Sequence, residues 1–278
     1  MTDHFSTQIE NKTPASYHND VLEEQFSYTV LPPFHASLSV ILPAYNEEQV
    51  ISSTLNDVLM TLNGQVRDFE VIVVNDGSKD RTATIVEAIA STDPRVRLIT
   101  HEINQGYGAT LVDGFAAATK ELTFFMDSDG QFDIRDVFQF LPFIDSYDAV
   151  LGYRLHRQDS WVRKLNAWGW KQLIGIVLGI HVRDLDCAFK LLHTDFLRAY
   201  PLESRGAMIN AELLYKLNSS DSTYKQVGIQ HLPRHGGKAT GAHPRVIIRA
   251  LRELFLYQRM WKQAKKKTMN LVPVKTLK

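Results

Sequence analysis

The sequence predicts an α/β protein, a mostly parallel sheet flanked by helices, followed by an amphipathic C-terminal helix. Three observations carry this. Short, β-rich apolar runs recur at 38–42, 69–74, 96–100 and 122–126. Helical spacing fills the stretches between them, and three of the runs end in polar, turn-rich loops. Strand and helix in alternation build a parallel sheet covered by helices. In such sheets ligands bind beyond the carboxyl ends of the strands.

Residues 1–36 are polar, weakly periodic and carry Pro32-Pro33, which reads as a loose arm without chemistry. The main domain is expected over 37–240. Its first strand, Leu38–Leu42, opens into Pro43-Ala44-Tyr45-Asn46-Glu47, and Val50, Leu55, Val58, Leu59 and Leu62 then mark a helix. The second strand, Phe69–Val74, ends in Asn75-Asp76-Gly77-Ser78, with Ile85, Val86 and Ile89 on the following helix. Val96–Thr100 and Leu122–Met126 complete the series, the last opening into Asp127-Ser128-Asp129-Gly130. These three loops are expected to converge on one cleft. Later the alternation loosens: strands are predicted near Ala149–Leu151, Leu185–Leu192 and Tyr224–Leu232, with a helix across Trp161–Leu178.

Residues 241–278 form the predicted basic helix and tail. Between His243 and Thr268 stand Arg245, Arg249, Arg252, Arg259, Lys262, Lys265, Lys266 and Lys267 against Glu253 alone, with Ile247, Leu251, Leu254 and Trp261 sharing another side. Such a helix can lie on an anionic bilayer or pack on the domain with its cations solvated. Trp161, Trp168 and Trp170, beside Leu173–Ile180, suggest a second interfacial helix.

Composition bounds the function. The 278 residues are 44% hydrophobic and 22% charged, with 31 basic residues matching 31 acidic ones, as in a soluble globular protein. No nucleic-acid partner is expected. The single cysteine, Cys187, allows no internal disulfide and reads as a core residue, and the first residues lack a signal-peptide pattern, so a reducing cytosol is expected. The apolar stretch 173–180 is too short to span a bilayer.

Asp127 and Asp129 leave a buried strand two residues apart, a pattern suited to Mg²⁺ or Mn²⁺ shared with substrate phosphates. Taken alone, Asp-x-Asp-Gly reads better as ordinary turn chemistry. For Asp76 two readings stand side by side: an acceptor for a nucleobase or ribose, or part of a turn whose Ser78 or Asp80 caps the next helix. Gly106 and Gly108 could admit phosphate at a helix N-terminus, but a tight loop explains them better.

Taken together, the strings 38–48, 74–82, 104–109 and 126–131 resemble family 2 glycosyltransferases, over roughly residues 38–240. The resemblance implies a GT-A fold, with Pro43, Ala44, Tyr45, Glu47 and Asp76 holding a nucleotide sugar and Asp127 and Asp129 placing the metal on its diphosphate. Gly152-Tyr153-Arg154, Arg163-Lys164, the 184–191 string and the 231–241 string look like the dolichyl-phosphate mannose synthase branch, which moves a sugar onto a polyprenyl phosphate. That likeness puts Arg154, Arg163 and Arg234 on phosphate groups, a task suited to the guanidinium fork. Gln131 is expected beside the metal or acceptor. Arg157 and Arg198 read as solvated surface residues.

The reading is therefore an inverting, metal-dependent hexosyltransferase. It takes a UDP- or GDP-sugar donor and a polyprenyl phosphate acceptor at an anionic, cytoplasmic membrane face, peripherally bound because the chain ends at Lys278 without a membrane span. Two rivals remain at this stage: the same fold acting on a hydroxyl, with Asp184 or Asp186 as base, and a silent nucleotide-sugar-binding adaptor. Asp184 and Asp186 otherwise position the acceptor or its arginines, or are solvated at a strand edge.

Overall fold

A computed structural model describes residues 34–155, 161–233 and 252–261, with the side chains of 162–164, 166 and 167 outside the description. Most of the expected N-terminal arm, Arg157, Arg234 and most of the basic C-terminal segment lie outside the described residues, and so does the side chain of Arg163.

The first half follows the predicted alternation. Strands β1 (Leu38–Ala44), β2 (Phe69–Asn75), β3 (Val96–Thr100) and β4 (Leu122–Met126) are joined through helices α1 (Ile51–Leu62), α2 (Thr82–Ala90) and α3 (Tyr107–Ala117). Every residue of β1, β2 and β4 is buried, as expected of parallel strands covered on both faces. A 3₁₀ helix (Ile134–Gln139) and α4 (Leu141–Ile144) lead to β5 (Ala149–Leu155). Then follow α5 (Trp161–Leu178), β6 (Phe189–His193), α6 (Thr194–Ala199), α7 (Ile209–Ser219) and β7 (Tyr224–Gln230).

The seven strands are ordered β3-β2-β1-β4-β6-β5-β7. β6 runs antiparallel to both β4 and β5, and the other pairs are parallel. The chain winds outward in one direction through β1, β2 and β3 and in the other from β4, so β1 and β4 flank the point where strand order reverses. β1 pairs with β2 as far as Ala44 but with β4 only as far as Ile41. Pro43 has no N–H to extend a ladder, and the β1–β4 backbone pairing ends at Ile41. The loops that follow these two strands carry the candidate site.

The predicted strand near Leu185–Leu192 begins later, at Phe189. The buried Lys190 ammonium donates to the carbonyls of Cys187 and Leu185 and to Asn210 Oδ1 at 2.9 Å. It thereby holds 185–187 as a loop. Residues 252–261 are helical, but Leu254 and Trp261 are buried in the same core as the sheet. Trp261 stacks on Tyr215 and Tyr257, and Gln258 Nε2 donates to Val177 O at the end of α5 at 2.9 Å. The side expected to face lipid therefore faces the protein at these two positions; an apolar stripe reads alike whichever surface covers it.

Candidate active site

Three strand-end loops meet at the reversal point. Ser128 is the buried pin of the β4 loop: its hydroxyl donates to Pro43 O at 2.6 Å, and its carbonyl accepts from Thr54 Oγ1 at 3.2 Å. Asp127 and Asp129 flank that pin. Asp129 is buried and accepts from Gln131 N at 3.1 Å; the Gln131 side chain donates to Leu232 O at 3.2 Å, and Gln131 O accepts from Leu232 N at 2.9 Å. Gln131 thus ties the acidic loop to the segment after β7.

Burial, and after it the charge of Asp129, push the Asp127 carboxyl up to about 7. The Tyr107 hydroxyl and the cations of Arg154 and Lys190 oppose that rise. Tyr107 is half-buried, with its hydroxyl buried beside Asp127 and interacting with it, although the two fall short of ordinary hydrogen-bond geometry. Burial first, then the Asp127 charge, hold its phenol well above the ordinary range. Two oxygen-rich, like-charged groups in a half-buried cleft suit a hard divalent cation. Among the described residues no three His, Cys, Asp or Glu side chains cluster as a complete protein cage. A metal there would draw further ligands from a diphosphate or water, the usual pattern for Mg²⁺.

The β1 and β2 loops are zipped together. Asn46 N donates to Ser78 Oγ at 2.9 Å, Lys79 N to Asn46 Oδ1 at 2.8 Å, Glu47 N to Thr82 Oγ1 at 2.9 Å and Arg81 N to Glu48 Oε2 at 3.1 Å. Ser78 therefore bonds to the neighbouring loop; the α2 cap position is Arg81, without a side-chain cap, while Asp80 accepts from Thr82 N at 3.0 Å. Tyr45 is exposed at the mouth, whereas Pro43, Ala44 and Glu47 are buried.

Asp76 is buried, and its own N–H donates to Ala44 O at 2.9 Å. Its Oδ1 accepts from Gln105 N at 2.8 Å and contacts His101 Nδ1 at 2.8 Å; its Oδ2 accepts from Gly106 N at 2.8 Å. The carboxylate thus holds the 104–106 loop. Gly108 is required by a close backbone approach: a Cβ there would lie 2.5 Å from Gly206 O and 2.6 Å from Ser204 O. Ala109 N donates to Arg205 O at 3.1 Å. The start of α3 is packed by protein, which favours the tight-loop reading of these glycines over the phosphate one.

Arg154 lies at the end of β5 with its fork on Asp184, Nε to Oδ2 at 2.7 Å and Nη2 to Oδ1 at 2.9 Å. Burial lowers the Arg154 pKa, but the Asp184 hydrogen bonds and charge overcome this and raise it. Burial also pushes the Cys187 thiol up to about 12, which suits a core residue. Arg198 is exposed and pairs with Asp195 at 2.9 Å.

Sequence reasoning assigned nothing to Tyr107, His101, Arg205 or Lys190. Tyr107 and Lys190 lay within the 104–109 and 184–191 strings, and His101 follows a strand end like the other three loops. Arg205 carried no local signal.

A family model described as Glycosyl transferase family 2 matches residues 39–203. A dolichyl-phosphate beta-glucosyltransferase of Trichomonas vaginalis is 33% identical over 181 residues, 59% of this chain and 53% of that protein. One from Dictyostelium discoideum is 27% identical over 222 residues, 72% and 68% respectively. An undecaprenyl-phosphate 4-deoxy-4-formamido-L-arabinose transferase of Edwardsiella ictaluri is 28% identical over 165 residues, 58% and 50%. The matched part of the chain thus spans about half the length of two of these relatives. Among solved structures, glucosyl-3-phosphoglycerate synthase of Mycobacterium tuberculosis, in complex with Mn²⁺, UDP and glucosyl-3-phosphoglycerate, has a TM-score of 0.60 at 23% identity. That match covers 79% of this chain and 80% of the synthase. The same enzyme with Mg²⁺ and UDP gives 0.59.

Proposed function

Because the chain belongs to glycosyl transferase family 2, we propose that it transfers a sugar, with inversion, from a UDP- or GDP-sugar to a polyprenyl phosphate. The observation that carries this reading is the Asp127–Asp129 pair on the loop after β4, beside the end of β1, in a chain whose relatives are named for dolichyl- and undecaprenyl-phosphate transfer. Asp127 and Asp129 hold Mg²⁺ or Mn²⁺, which when bound supplies Lewis-acid neutralisation of the leaving diphosphate. Pro43, Ala44, Tyr45, Glu47 and Asp76 frame the nucleoside, with Tyr45 exposed at the cleft mouth. Arg154, fixed by Asp184, contributes positive charge near the acidic pair, and Arg163 and Arg234 complete the phosphate-binding set. An ionised acceptor phosphate needs no base. Both Asp184 oxygens lie on the Arg154 fork, so the geometry gives no support to Asp184 as the base of the hydroxyl-acceptor rival.

The test incubates the protein with labelled UDP- and GDP-sugars, short-chain polyprenyl phosphate and Mn²⁺ or Mg²⁺, then extracts lipid. Label from at least one donor is expected in the organic phase. None from any donor refutes the acceptor assignment.

Peripheral membrane attachment belongs to the same proposal. Among the described residues no helix is long and apolar enough to cross a membrane. Trp161, Leu165, Trp168 and Ile176 on α5, and Phe255, Leu256 and Met260 on residues 252–261, are exposed. Trp170 is half-buried against the core. Replacing Trp161 and Trp168 by Ser is expected to lower sedimentation with anionic liposomes several-fold, roughly the loss of two interfacial anchors, and to leave the melting temperature unchanged. Undiminished binding removes α5 from the membrane face.

A further inference from the structure

We propose that His101 is a positioning residue for the donor, holding Asp76 and the 104–106 loop in a geometry that depends on Arg205, far along the chain. This rests on the nucleotide-sugar reading above. The imidazole lies between two carboxylates, Nδ1 at 2.8 Å from Asp76 Oδ1 and Nε2 at 2.9 Å from Asp113 Oδ2. Arg205 Nη2 then donates to Asp113 Oδ2 at 3.0 Å and to Gln105 Oε1 at 2.9 Å. The chain of contacts runs from the interior to solvent: the side chains of Asp76 and His101 are 4% and 5% exposed, those of Asp113 and Arg205 33% and 45%.

Each link joins a different part of the fold. Asp76 follows β2, His101 follows β3, Asp113 is on α3, and Arg205 is on the connection between α6 and α7. His101 N also donates to Asn75 O at 2.9 Å, which fixes the backbone from which the ring projects. The Arg205 connection is anchored independently, because the buried Glu212 carboxylate accepts from Glu203 N at 2.9 Å and from Ser204 N at 2.7 Å. Asp76 is therefore set by a strut whose far end stands on the second half of the molecule. Buried polar groups with every partner in place impose one geometry, and losing a member frees the rest.

The full-length protein is tested as wild type, His101→Leu, His101→Asn and Arg205→Gln. The dissociation constants of UDP and GDP with Mn²⁺ are measured by calorimetry, with donor KM and kcat and a melting curve for each variant. His101→Leu is expected to weaken the nucleotide that the wild type prefers by about tenfold or more, the usual cost of losing an orienting outer partner. Donor KM should rise by the same factor while kcat stays within about twofold, the pattern of binding lost equally from the ground and transition states. His101→Asn keeps a donor toward Asp76 and should restore most of the affinity, and Arg205→Gln should show the same KM pattern more weakly. If His101→Leu does not fold, the Asn and Arg205→Gln variants decide. A wild type that binds neither nucleotide overturns the donor reading and this inference with it. A binding wild type, with unchanged nucleotide affinity and KM in the folded variants, overturns this inference alone.

Discussion

At the tip of β4 like charges are set side by side, whereas around β5 and β6 opposite charges are matched. Asp127 and Asp129 share one turn, and burial with the second charge pushes the first carboxyl up. Arg154 on β5, by contrast, has both arms of its fork on Asp184, and Glu212 on α7 pairs with Lys216 at 2.8 Å. Like charges packed together, their effect only partly opposed by Tyr107, Arg154 and Lys190, mark a functional-site candidate, whereas a matched pair is the commoner structural arrangement. The first arrangement predicts loss of activity with stability kept, the second a loss of stability.

The largest expected effect is Asp127→Asn or Asp129→Asn, each lowering kcat/KM by about a thousandfold, or about 4 kcal/mol. The melting temperature in metal-free buffer should hold or rise, since a repulsion has been removed; a fall in stability without a fall in rate would reverse the comparison. Asp184→Ala should act on stability and cost about 3–4 kcal/mol of unfolding free energy in urea, because it strands the largely buried Arg154 cation. Lys190→Met removes the donor to two carbonyls and Asn210 and should cost about 2 kcal/mol. The smallest effect is in pH. Asp127, titrating near 7, is protonated below that value, so apparent Mn²⁺ affinity should fall by up to about tenfold per unit below pH 7. In the metal-free protein the sign is opposite. A carboxyl raised from 3.8 to about 7 by folding contributes stability that is complete below pH 3.8 and lost as pH rises through 7. Denaturation of the metal-free protein from pH 5 to 8 checks this.

The same contrast explains what was legible in the sequence. β1 to β4 are mainly apolar runs, each interrupted by a polar residue, and three of them end in turn residues, local signals that placed four strands. α5 was legible too, over Trp161–Leu178. β6 was begun too early because Leu185, Cys187 and Ala188 look like strand, and what holds them as a loop is the Lys190 ammonium folding back on their carbonyls. The destination of Leu254 and Trp261 was equally hidden. At the site, the acidic pair stood out as a motif, whereas the His101 strut joins residues from four separate elements and has no local signature.

The place of β6 in the sheet also orders events in time. β4 pairs with β1 on one side and with β6 on the other, and β6 lies more than sixty residues further along the chain. As the chain leaves the ribosome, β1 to β4 can assemble while one edge of β4 still lacks its neighbour, an open template for foreign strands until Phe189–His193 emerges. The antiparallel strand that covers this edge of β4 thus also ends its period of exposure. Pulse proteolysis of stalled nascent chains should show protection of β4 only after residue 193 has cleared the exit tunnel.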